Sequence, residues 1–393
     1  MQKQSIQFDN TRVAFASKSD KELKKSNKVF STMKYPWLVM LGTKFISWAL
    51  KIGLPVKGLI KRTMFYQFCG GESISDCANR VGQLGRYQVR TILDYSVEGE
   101  SNEASFDKTC KEIVEVCKAA KEDDNVPFSV VKPTGIGPLE IMTKEQAGET
   151  IDAEERIKLS HFKERVEKIT IAAKASGIMF MIDAEETCMQ DVVDEVAYEL
   201  MAKYNKDHAL VYNTYQLYLK DSLSKLVDAA ERARAEGYHF GAKLVRGAYM
   251  ERERARAEEM GYEDPIQPNK ESTDRDYDAA LEYCVKNIDN IGLCAGTHNE
   301  KSSTFLVELM DEYKVDRNDP RIFFSQLLGM SDHISFNLAD AGYNVAKYVP
   351  YGPVEKVMPY LFRRAEENTA MSGQGSRELA LVKSELKRRQ SSI

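Results

Sequence analysis

The chain has 393 residues, of which 43% are hydrophobic and 29% are charged, and its formal net charge is −5. This composition excludes a disordered, collagen-like or polytopic membrane protein, and the negative charge argues against a dedicated nucleic-acid-binding protein. The length suits one (β/α)8 barrel of about 250 residues that carries an additional segment.

The seven cysteines are odd in number and form no CxxC pair. This pattern predicts reduced thiols of an intracellular protein, and neither a zinc site nor a disulfide framework. Residues 1–30 include acidic side chains and no apolar run, so we expect neither a secretory signal nor a transit peptide there. The sequence therefore predicts an intracellular protein, and a peripheral position on the inner membrane stays open.

An N-terminal helical region is predicted over residues 1–85. Its segment 36–65 is the most apolar stretch of the protein but contains Lys44, Lys51 and Lys57, so it is a poor candidate for a membrane span of about 20 largely uncharged residues. Two interpretations stay open. The helices pack against the main domain, or residues 36–62 form an amphipathic surface that contacts a membrane.

From residue 86 onwards, short apolar runs alternate with long amphipathic segments, a pattern typical of alternating strands and helices. Eight such runs predict an α/β fold, a (β/α)8 barrel of the TIM type, over residues 86–375. A C-terminal helix and tail are expected at residues 376–393. The predicted strands are residues 87–97, 128–135, 179–186, 210–219, 240–247, 291–299, 321–329 and 343–352.

Polar side chains end nearly every predicted strand, and in such barrels the functional residues lie at the C-terminal ends of the strands. Each residue alone has an ordinary alternative role, such as Asp183 capping the following helix. Their coincidence at eight strand ends favours a site at this face. The residues are Asp94, Lys132, Asp183, Glu185, Glu186, Tyr215, Gln216, Lys243, Arg246, Thr297, His298, Asn299, Gln326 and Tyr348.

The last helix before the C-terminal segment has a denser pattern. Tyr360, Arg363, Arg364 and Glu367 are spaced i, i+3, i+4 and i+7, so they share one helical stripe. Segment 350–353, with two prolines and a glycine, predicts a rigid turn before this helix. Adjacent guanidinium groups bind carboxylates well and so predict a small anionic substrate. The alternative is a surface stripe of ion pairs, each worth about 0.2–0.5 kcal/mol.

Gly247 and Ala248 follow the strand that ends at Arg246, and this pair permits close approach of the backbone to a ligand. Together with Thr297 and His298 of the next strand, they indicate a bulky cofactor across the barrel mouth. No GxGxxG motif follows the first strand, so a Rossmann domain is not expected.

These motifs resemble the proline dehydrogenase, or proline oxidase, family in its single-function form. The motifs are VVKPTG, IDAEE, TYQ, KLVRGAYMERE, THN, QLLGM and KYVPYGPVEKVMPYLFRRAEEN, in that order over residues 85–372. The resemblance implies oxidation of L-proline to 1-pyrroline-5-carboxylate by non-covalent FAD, the first step of proline catabolism. It also implies that a membrane quinone accepts the electrons.

The resemblance further implies the roles of individual residues. The implied substrate-binding residues are Lys132, Leu327, Tyr348, Tyr360, Arg363, Arg364 and Glu367. The implied cofactor-binding residues are Ala184, Gln216, Lys243, Arg246, Gly247, Ala248, Tyr249, Thr297 and His298. The implied catalytic residues are Asp183, Lys243 and Arg246, and no metal site is expected. Some relatives have arginine and then lysine where this chain has Lys243 and Arg246, so both stay candidates for the position beside the flavin N5.

Several alternatives stay open at this point. The substrate could be hydroxyproline, and the base that deprotonates the substrate amine could be Asp183 or Glu367. A Schiff-base aldolase would use Lys132 or Lys243. A barrel without activity that serves as a membrane scaffold is a further alternative. A metal-dependent aldolase would use Asp183, Glu185, Glu186 and His298. The charge-rich segment 250–260 is expected to be a solvated helix face.

Overall fold

A computed structural model of the chain describes residues 6–52, 54–97, 101–121, 123–370 and 374–391. Eight strands form one closed barrel in chain order, which confirms the predicted (β/α)8 fold. Each strand lies inside its predicted apolar run and is shorter, because the runs included polar residues that follow the strands. The strands are β1 (Val89–Tyr95), β2 (Phe128–Val131), β3 (Met179–Ile182), β4 (Val211–Gln216), β5 (Phe240–Val245), β6 (Ile291–Gly296), β7 (Ile322–Leu327) and β8 (Val345–Tyr351).

The chain comprises two compact units. The first contains Met1–Glu98 and Gln326–Ile393, and the second contains Gly99–Ser325. The domain limits expected at residues 85 and 375 stay predictions. Residues 371–373, beside the second of these limits, lie outside the described residues.

In the first unit, β1 pairs in parallel with β8, from Val89 opposite Val345 to Tyr95 opposite Tyr351. Short helices precede β1, as predicted for the N-terminal region, with a π-helical turn at Lys61–Phe65. They are α1 (Thr11–Ala14), α2 (Asp20–Met33), α3 (Pro36–Lys51), α4 (Lys57–Ile60), α5 (Tyr66–Phe68) and α6 (Ile74–Gly85). The other helices of this unit are α15 (Asp332–Asp340), α16 (Met358–Ala370) and α17 (Gln374–Gln390).

Helix α3 has one buried and one exposed apolar face. Val39 and Ile46 pack into a hydrophobic cluster that includes Tyr360 and Leu361 of α16, so the N-terminal helices support the helix that carries the adjacent arginines. The opposite face exposes Trp37, Met40, Leu41, Phe45 and Trp48, each 52–57% accessible. Within the described ranges, no helix combines the length and hydropathy needed to cross a bilayer.

In the second unit, strands β2 to β7 pair in parallel, each with the next. Local signals set the helix limits: Asp152 forms a capping box with Glu155 at the start of α9, and Gly177 ends that helix at φ +71°. The helices are α7 (Glu103–Ala120), α8 (Leu139–Gln146), α9 (Ala153–Ser176), α10 (Thr187–Tyr204), α11 (Ser222–Glu236), α12 (Met250–Met260), α13 (Lys270–Lys286) and α14 (Glu300–Glu312).

The expectation that segment 250–260 is a solvated face is only partly right. Most of α12 is exposed, but Glu253 is 1% accessible. Its carboxylate accepts hydrogen bonds from the Thr187 backbone N–H at 2.7 Å and from the Thr187 hydroxyl at 2.6 Å. The first N–H groups of a helix have no acceptor within that helix. Glu253 supplies one at the start of α10, which explains its burial.

All seven cysteines are free thiols, and only Cys188 is half-buried while the others are buried. Burial raises the pKa of Cys77, Cys284 and Cys294 to about 12. These three thiols therefore stay protonated at neutral pH.

Candidate active site

Strand β8 leads into α16 through the turn Gly352–Val357 of the first unit. Gly352 has φ +141°, where glycine is favoured, and the Pro353 carbonyl accepts a hydrogen bond from the Lys356 N–H at 2.8 Å. The predicted rigid turn is therefore present. Placing Pro350 in it was wrong, because Pro350 lies within β8 opposite Asp94.

Helix α16 contains the whole predicted stripe of Tyr360, Arg363, Arg364 and Glu367. Tyr360 is 5% and Arg364 7% accessible, and the Arg364 guanidinium carbon lies 5.2 Å from the centroid of the Tyr360 ring. Arg364 forms an ion pair with Glu367, and Arg363 is half-buried. The alternative of a surface stripe is wrong about exposure, since packing covers Tyr360 and Arg364, but the ion pair that it expected between Arg364 and Glu367 is present.

Two buried polar atoms of this stripe have no hydrogen-bond partner in the described part of the chain. They are Nε of Arg364 and the hydroxyl of Tyr360. A buried donor without an acceptor costs about 1–3 kcal/mol, and a guanidinium group stays charged at any pH relevant to proteins. The helix thus presents unsatisfied cationic and neutral donors, which suits a small ligand with a carboxylate.

Glu367 has a higher pKa than an ordinary surface glutamate. Burial raises the pKa of its carboxyl group, although the guanidinium groups of Arg364 and Arg363 oppose the shift. A carboxylate with a raised pKa accepts a proton more readily near neutral pH. Of the two carboxylates considered as the base, Glu367 therefore has the more suitable pKa.

Leu327 and Tyr348 are also in the first unit. Leu327 ends β7, but the expectation that Tyr348 ends its strand is wrong, because it lies in the middle of β8 opposite Ile92. Leu327 packs against the hydrophobic cluster that contains Tyr360, and the Tyr348 carbonyl accepts a hydrogen bond from the Leu328 N–H at 2.8 Å. Tyr348 is buried. The structure thus brings the predicted residues Leu327 and Tyr360 into one cluster.

In the second unit, Asp183 follows β3 and lies between two ammonium groups. Its Oδ1 is 2.5 Å from Nζ of Lys243 in β5, and its Oδ2 is 3.3 Å from Nζ of Lys132 after β2. Burial of Asp183 opposes its ionisation, but the charges of Lys243 and Lys132 outweigh it and lower its pKa. Asp183 is therefore an ionised anchor for the two lysines, and the alternative that it caps a helix is wrong.

Glu185 makes a contact that the sequence did not reveal. Its carboxylate accepts hydrogen bonds from the Thr134 N–H and from the Thr134 hydroxyl, both at 2.7 Å. This link fixes the segment after β2 that carries Lys132. Glu186 pairs instead with Arg252. Among the described residues no three histidine, cysteine or acidic side chains cluster as metal ligands would.

A cavity of about 520 Å³ lies in the second unit, beside the ends of β3 and β4. Ala184 and Gln216 line it, and these are the only two of the nine predicted cofactor residues that do. The Gln216 side-chain amide donates to the Glu185 carbonyl at 2.7 Å, which leaves its oxygen as an acceptor. The other seven predicted cofactor residues do not line this cavity. Lys243 lies within β5, and the other six follow β5 or β6.

Arg246, just after β5, belongs to a different network from Lys243. Its guanidinium group donates to Asp274 at 2.7 Å, to the Thr297 hydroxyl at 2.6 Å and to the Ser302 hydroxyl at 3.0 Å. It also stacks 4.3 Å from the centroid of the Tyr277 ring. Sequence reasoning missed Asp274 and Tyr277, because both lie on α13, outside every strand end.

The close approach predicted at Gly247 is made to another part of the protein. Gly247 has φ +135°, and a Cβ atom there would lie 2.4 Å from the Tyr218 ring. Gly247 and Ala248 are exposed, whereas Tyr249 and His298 are half-buried. Internal packing therefore already requires glycine at this position, and the exposed backbone beside it is accessible to a ligand.

Other polar residues at the strand ends bond to near neighbours. The Ser96 hydroxyl donates to the Asp94 carboxylate at 2.6 Å, and the Ser335 hydroxyl donates to Gln326 at 2.8 Å. The Tyr215 hydroxyl lies 3.0 Å from that of Tyr198. A polar residue at a strand end was thus not by itself evidence of a ligand contact.

The donor set at the ends of β4, β5 and β6 fits a large anionic cofactor. Lys243 and Arg246 are cationic, although each also pairs with a carboxylate of the protein, and Gln216 and Thr297 supply hydrogen-bonding groups. The exposed Gly247–Ala248 backbone adjoins them. Positive charge and oriented donors of this kind suit the phosphates and the ring edge of a dinucleotide.

Comparisons with known proteins show the family of the chain. A family model described as "Proline dehydrogenase" matches residues 77–377. Proline dehydrogenase 1, mitochondrial, of Dictyostelium discoideum is 32% identical over 97% of this chain and 74% of that protein. The human protein of the same name is 43% identical over 60% of this chain and 40% of its own length. The carbapenem antibiotics biosynthesis protein CarD of Pectobacterium carotovorum is 34% identical over 82% of this chain and 83% of the relative.

Among solved structures, proline utilization A (PutA) from Bdellovibrio bacteriovorus, inactivated by N-propargylglycine, matches with a TM-score of 0.70. The sequences are 24% identical, and the match covers 80% of this chain but only 34% of that protein. This likeness supports the fold, and the chain spans about a third of the length of the solved protein.

Proposed function

The chain belongs to the proline dehydrogenase family and is an oxidoreductase of that family, and on this premise we propose a complete reaction for it. L-proline is oxidised to 1-pyrroline-5-carboxylate, FAD is the non-covalent cofactor, and a membrane quinone accepts the electrons. The observation that carries the proposal is the buried stripe of α16, whose Arg364 Nε and Tyr360 hydroxyl lack partners among the described residues. Family membership decides against the aldolase alternatives.

In this proposal six of the seven substrate-binding residues lie in the first unit, and the seventh, Lys132, lies in the second. Arg363 and Arg364 bind the carboxylate of proline in a bidentate manner, and Leu327 packs on its ring. Fixing both the carboxylate and the ring orients the carbon that is to lose hydride, and orientation of this kind supplies a large part of the rate acceleration of enzymes. The remaining proposed substrate residues are Lys132, Tyr348, Tyr360 and Glu367.

The proposed FAD-binding residues lie in the second unit. When bound, FAD accepts the hydride from the ring carbon beside the proline nitrogen. Lys243 is the better candidate for the charge that stabilises the reduced cofactor, because it shares Asp183 with the proposed substrate residue Lys132. Within the described part of the chain Arg246 has no such link, and it is assigned to holding the cofactor. The proposed FAD-binding set is Ala184, Gln216, Lys243, Arg246, Gly247, Ala248, Tyr249, Thr297 and His298.

The proline nitrogen must lose its ammonium proton before hydride can leave, because the nitrogen lone pair forms the new double bond. We assign this proton to Glu367, whose pKa burial raises. Asp183 suits the task less, since two ammonium groups lower its pKa. Asp183 is instead proposed to orient Lys132 and Lys243.

Anaerobic addition of L-proline tests the proposal. The purified protein, reconstituted with FAD where necessary, is expected to show visible flavin absorbance that bleaches with L-proline, and mass spectrometry should detect the five-membered cyclic imine. Steady-state turnover of 4-hydroxyproline and of L-proline tests the hydroxyproline alternative. That alternative requires a higher kcat/KM for 4-hydroxyproline than for L-proline. A protein that stays colourless after reconstitution would refute the proposal.

The exposed face of α3 is the proposed contact with the membrane that holds the quinone, at its cytoplasmic side. Residues 36–62 contain five lysine or arginine residues and no acidic residue, in a chain of net charge −5. Lys57 and Lys61 pair with Glu355 and Glu72. Exposed tryptophans beside basic side chains are typical of helices that lie in an anionic membrane surface.

We expect the double variant Trp37→Ser/Trp48→Ser to bind vesicles containing anionic phospholipid more weakly than the parent protein, by at least about tenfold. Replacing an exposed tryptophan by serine removes about 1.5–3 kcal/mol of the free energy gained when an apolar side chain of this size leaves water for the membrane. Vesicle co-sedimentation measures the effect. Point variants are preferred to removal of residues 36–62, because Val39 and Ile46 pack against the α16 cluster.

Ile157→Ser is the matched control for this experiment, since Ile157 is 55% exposed on α9. Its vesicle binding should equal that of the parent protein. Equal binding by the tryptophan variant would assign membrane contact to another surface.

A further inference from the structure

The turn between β7 and α15 is held by a buried ammonium group that no assigned role uses. Lys347 in β8 is 0% accessible. Its Nζ donates to the Met330 carbonyl at 2.5 Å and to the Leu327 carbonyl at 3.4 Å, and it lies 2.8 Å from Oδ1 of Asp332. An ammonium group has three donors, so these contacts account for all of them.

The charges around Lys347 are compensated within the first unit. Burial lowers the pKa of Lys347, and Asp332 opposes that shift. Burial also disfavours ionisation of Asp332, but Lys18 and Lys347 outweigh it and lower the pKa of that carboxyl group. Lys18 reaches the other oxygen of Asp332 at 2.7 Å. Asp332 therefore has two cationic partners, of which Lys347 has the contacts with the turn.

Three further contacts hold the same turn. Gln67 of α5 donates to the Gly329 carbonyl at 2.9 Å, the Ser331 N–H donates to Glu378 of α17, and the Leu328 N–H donates to β8. Gly329 has φ +79°, and a Cβ there would lie 2.2 Å from the Gln67 carbonyl oxygen. Ser331 has φ +50°, which is unusual for a residue other than glycine.

The turn carries a residue of the proposed substrate pocket. Leu327 begins it, and both Leu327 and Met330 pack in the cluster that contains Tyr360. Loops generally lie on the surface, where water can satisfy their polar groups. This one is buried and its carbonyls depend on side chains from other elements. Lys347 therefore contacts both ends of the segment between Leu327 and Met330, whose side chains pack in that cluster.

We propose that Lys347 is a positioning residue for proline binding, and this inference rests on the proposed function. Its ammonium group holds the carbonyls of Leu327 and Met330 and thereby holds the Leu327 side chain against the α16 cluster. Lys347 does not itself contact the substrate. Its loss should weaken substrate binding and leave the chemical step, which depends on other residues, nearly unchanged.

The first test replaces Lys347 by methionine, which keeps the length of the side chain and removes the ammonium group. We expect the KM for proline to rise about tenfold with kcat within about twofold, because small displacements of a positioning surface weaken binding substantially. The dissociation constant of cyclopentanecarboxylate, a ring carboxylate with no nitrogen to oxidise, should rise by the same factor when measured by calorimetry.

Lys18→Met is the matched control. Like Lys347→Met, it removes one ammonium group that pairs with the Asp332 carboxylate. Unlike Lys347, Lys18 has no contact with the carbonyls of Leu327 or Met330 in the described structure. Its melting temperature should fall while its KM for proline stays at the parent value. An equal rise in KM for Lys18→Met would overturn the proposal, since loss of charge pairing alone would then explain the effect.

The triple variant Lys18→Met/Asp332→Asn/Lys347→Met separates positioning from stability and replaces the single variant should that one fail to fold. It removes Asp332 together with both of its cationic partners and does not restore the donors to the turn, so stability should recover while KM stays raised. Recovery of the parent KM would overturn the proposal. A parent protein that neither oxidises proline nor binds cyclopentanecarboxylate would instead refute the proposed function, and with it the inference.

Discussion

Replacing Arg364 by methionine is expected to raise the KM for proline by about 10- to 150-fold, with FAD still bound. The guanidinium group is buried and its Nε has no partner among the described residues. A charge-assisted hydrogen bond to the substrate carboxylate is worth about 1.5–3 kcal/mol, which corresponds to this range. Arg363→Met should raise KM in the same range, because the two guanidinium groups are proposed to share the carboxylate.

Steady-state kinetics together with the bound flavin content measure this result. Glu366→Gln is the control, since Glu366 is exposed on the same helix and its substitution also changes one charge. Its KM should match that of the parent protein. An unchanged KM in both arginine variants would remove the carboxylate-binding role from α16.

Replacing Lys243 by methionine is expected to slow flavin reduction by about 100-fold at saturating proline, with FAD retained. Loss of a preorganised charge that stabilises a developing anion typically costs this much. Lys243 is 6% accessible, so its charge acts where water screens it little. Stopped-flow absorbance under anaerobic conditions measures the rate.

Arg246→Met should give the opposite pattern, a weaker affinity for FAD and a smaller change in the reduction rate of the loaded protein. Its guanidinium group links Asp274, Thr297 and Ser302, so its loss loosens the residues that are proposed to hold the cofactor. Arg252→Met, at a 67% exposed side chain, is the control for both measurements. If Arg246→Met slowed reduction and Lys243→Met released FAD, the two roles would be exchanged.

The interpretation of the N-terminal region shows what a local pattern leaves open. Its apolar helical segment was compatible with packing or with a membrane surface. In the structure Val39 and Ile46 of α3 pack in a cluster with residues of α16, while Trp37 and Trp48 are exposed. A helix can satisfy both interpretations on opposite faces. Periodicity alone does not say which face a distant element covers.

The sequence by itself determined the barrel and the stripe of Tyr360, Arg363, Arg364 and Glu367, because both follow from short-range periodicity. An apolar run indicates where a strand lies in the sequence, and spacings of three and four residues place side chains on one helical face. The segments between those elements were equally visible as amphipathic helices.

Only the tertiary structure decided which charges meet. Asp183 reaches Lys132 across 51 positions of the chain and Lys243 across 60, and no local pattern encodes such a distance. The same holds for Arg246 with Asp274, for Glu253 with Thr187, and for Gly247 with the Tyr218 ring. The physical reason is that burial and pairing depend on the closure of the barrel. That closure brings together strand ends that lie far apart along the chain.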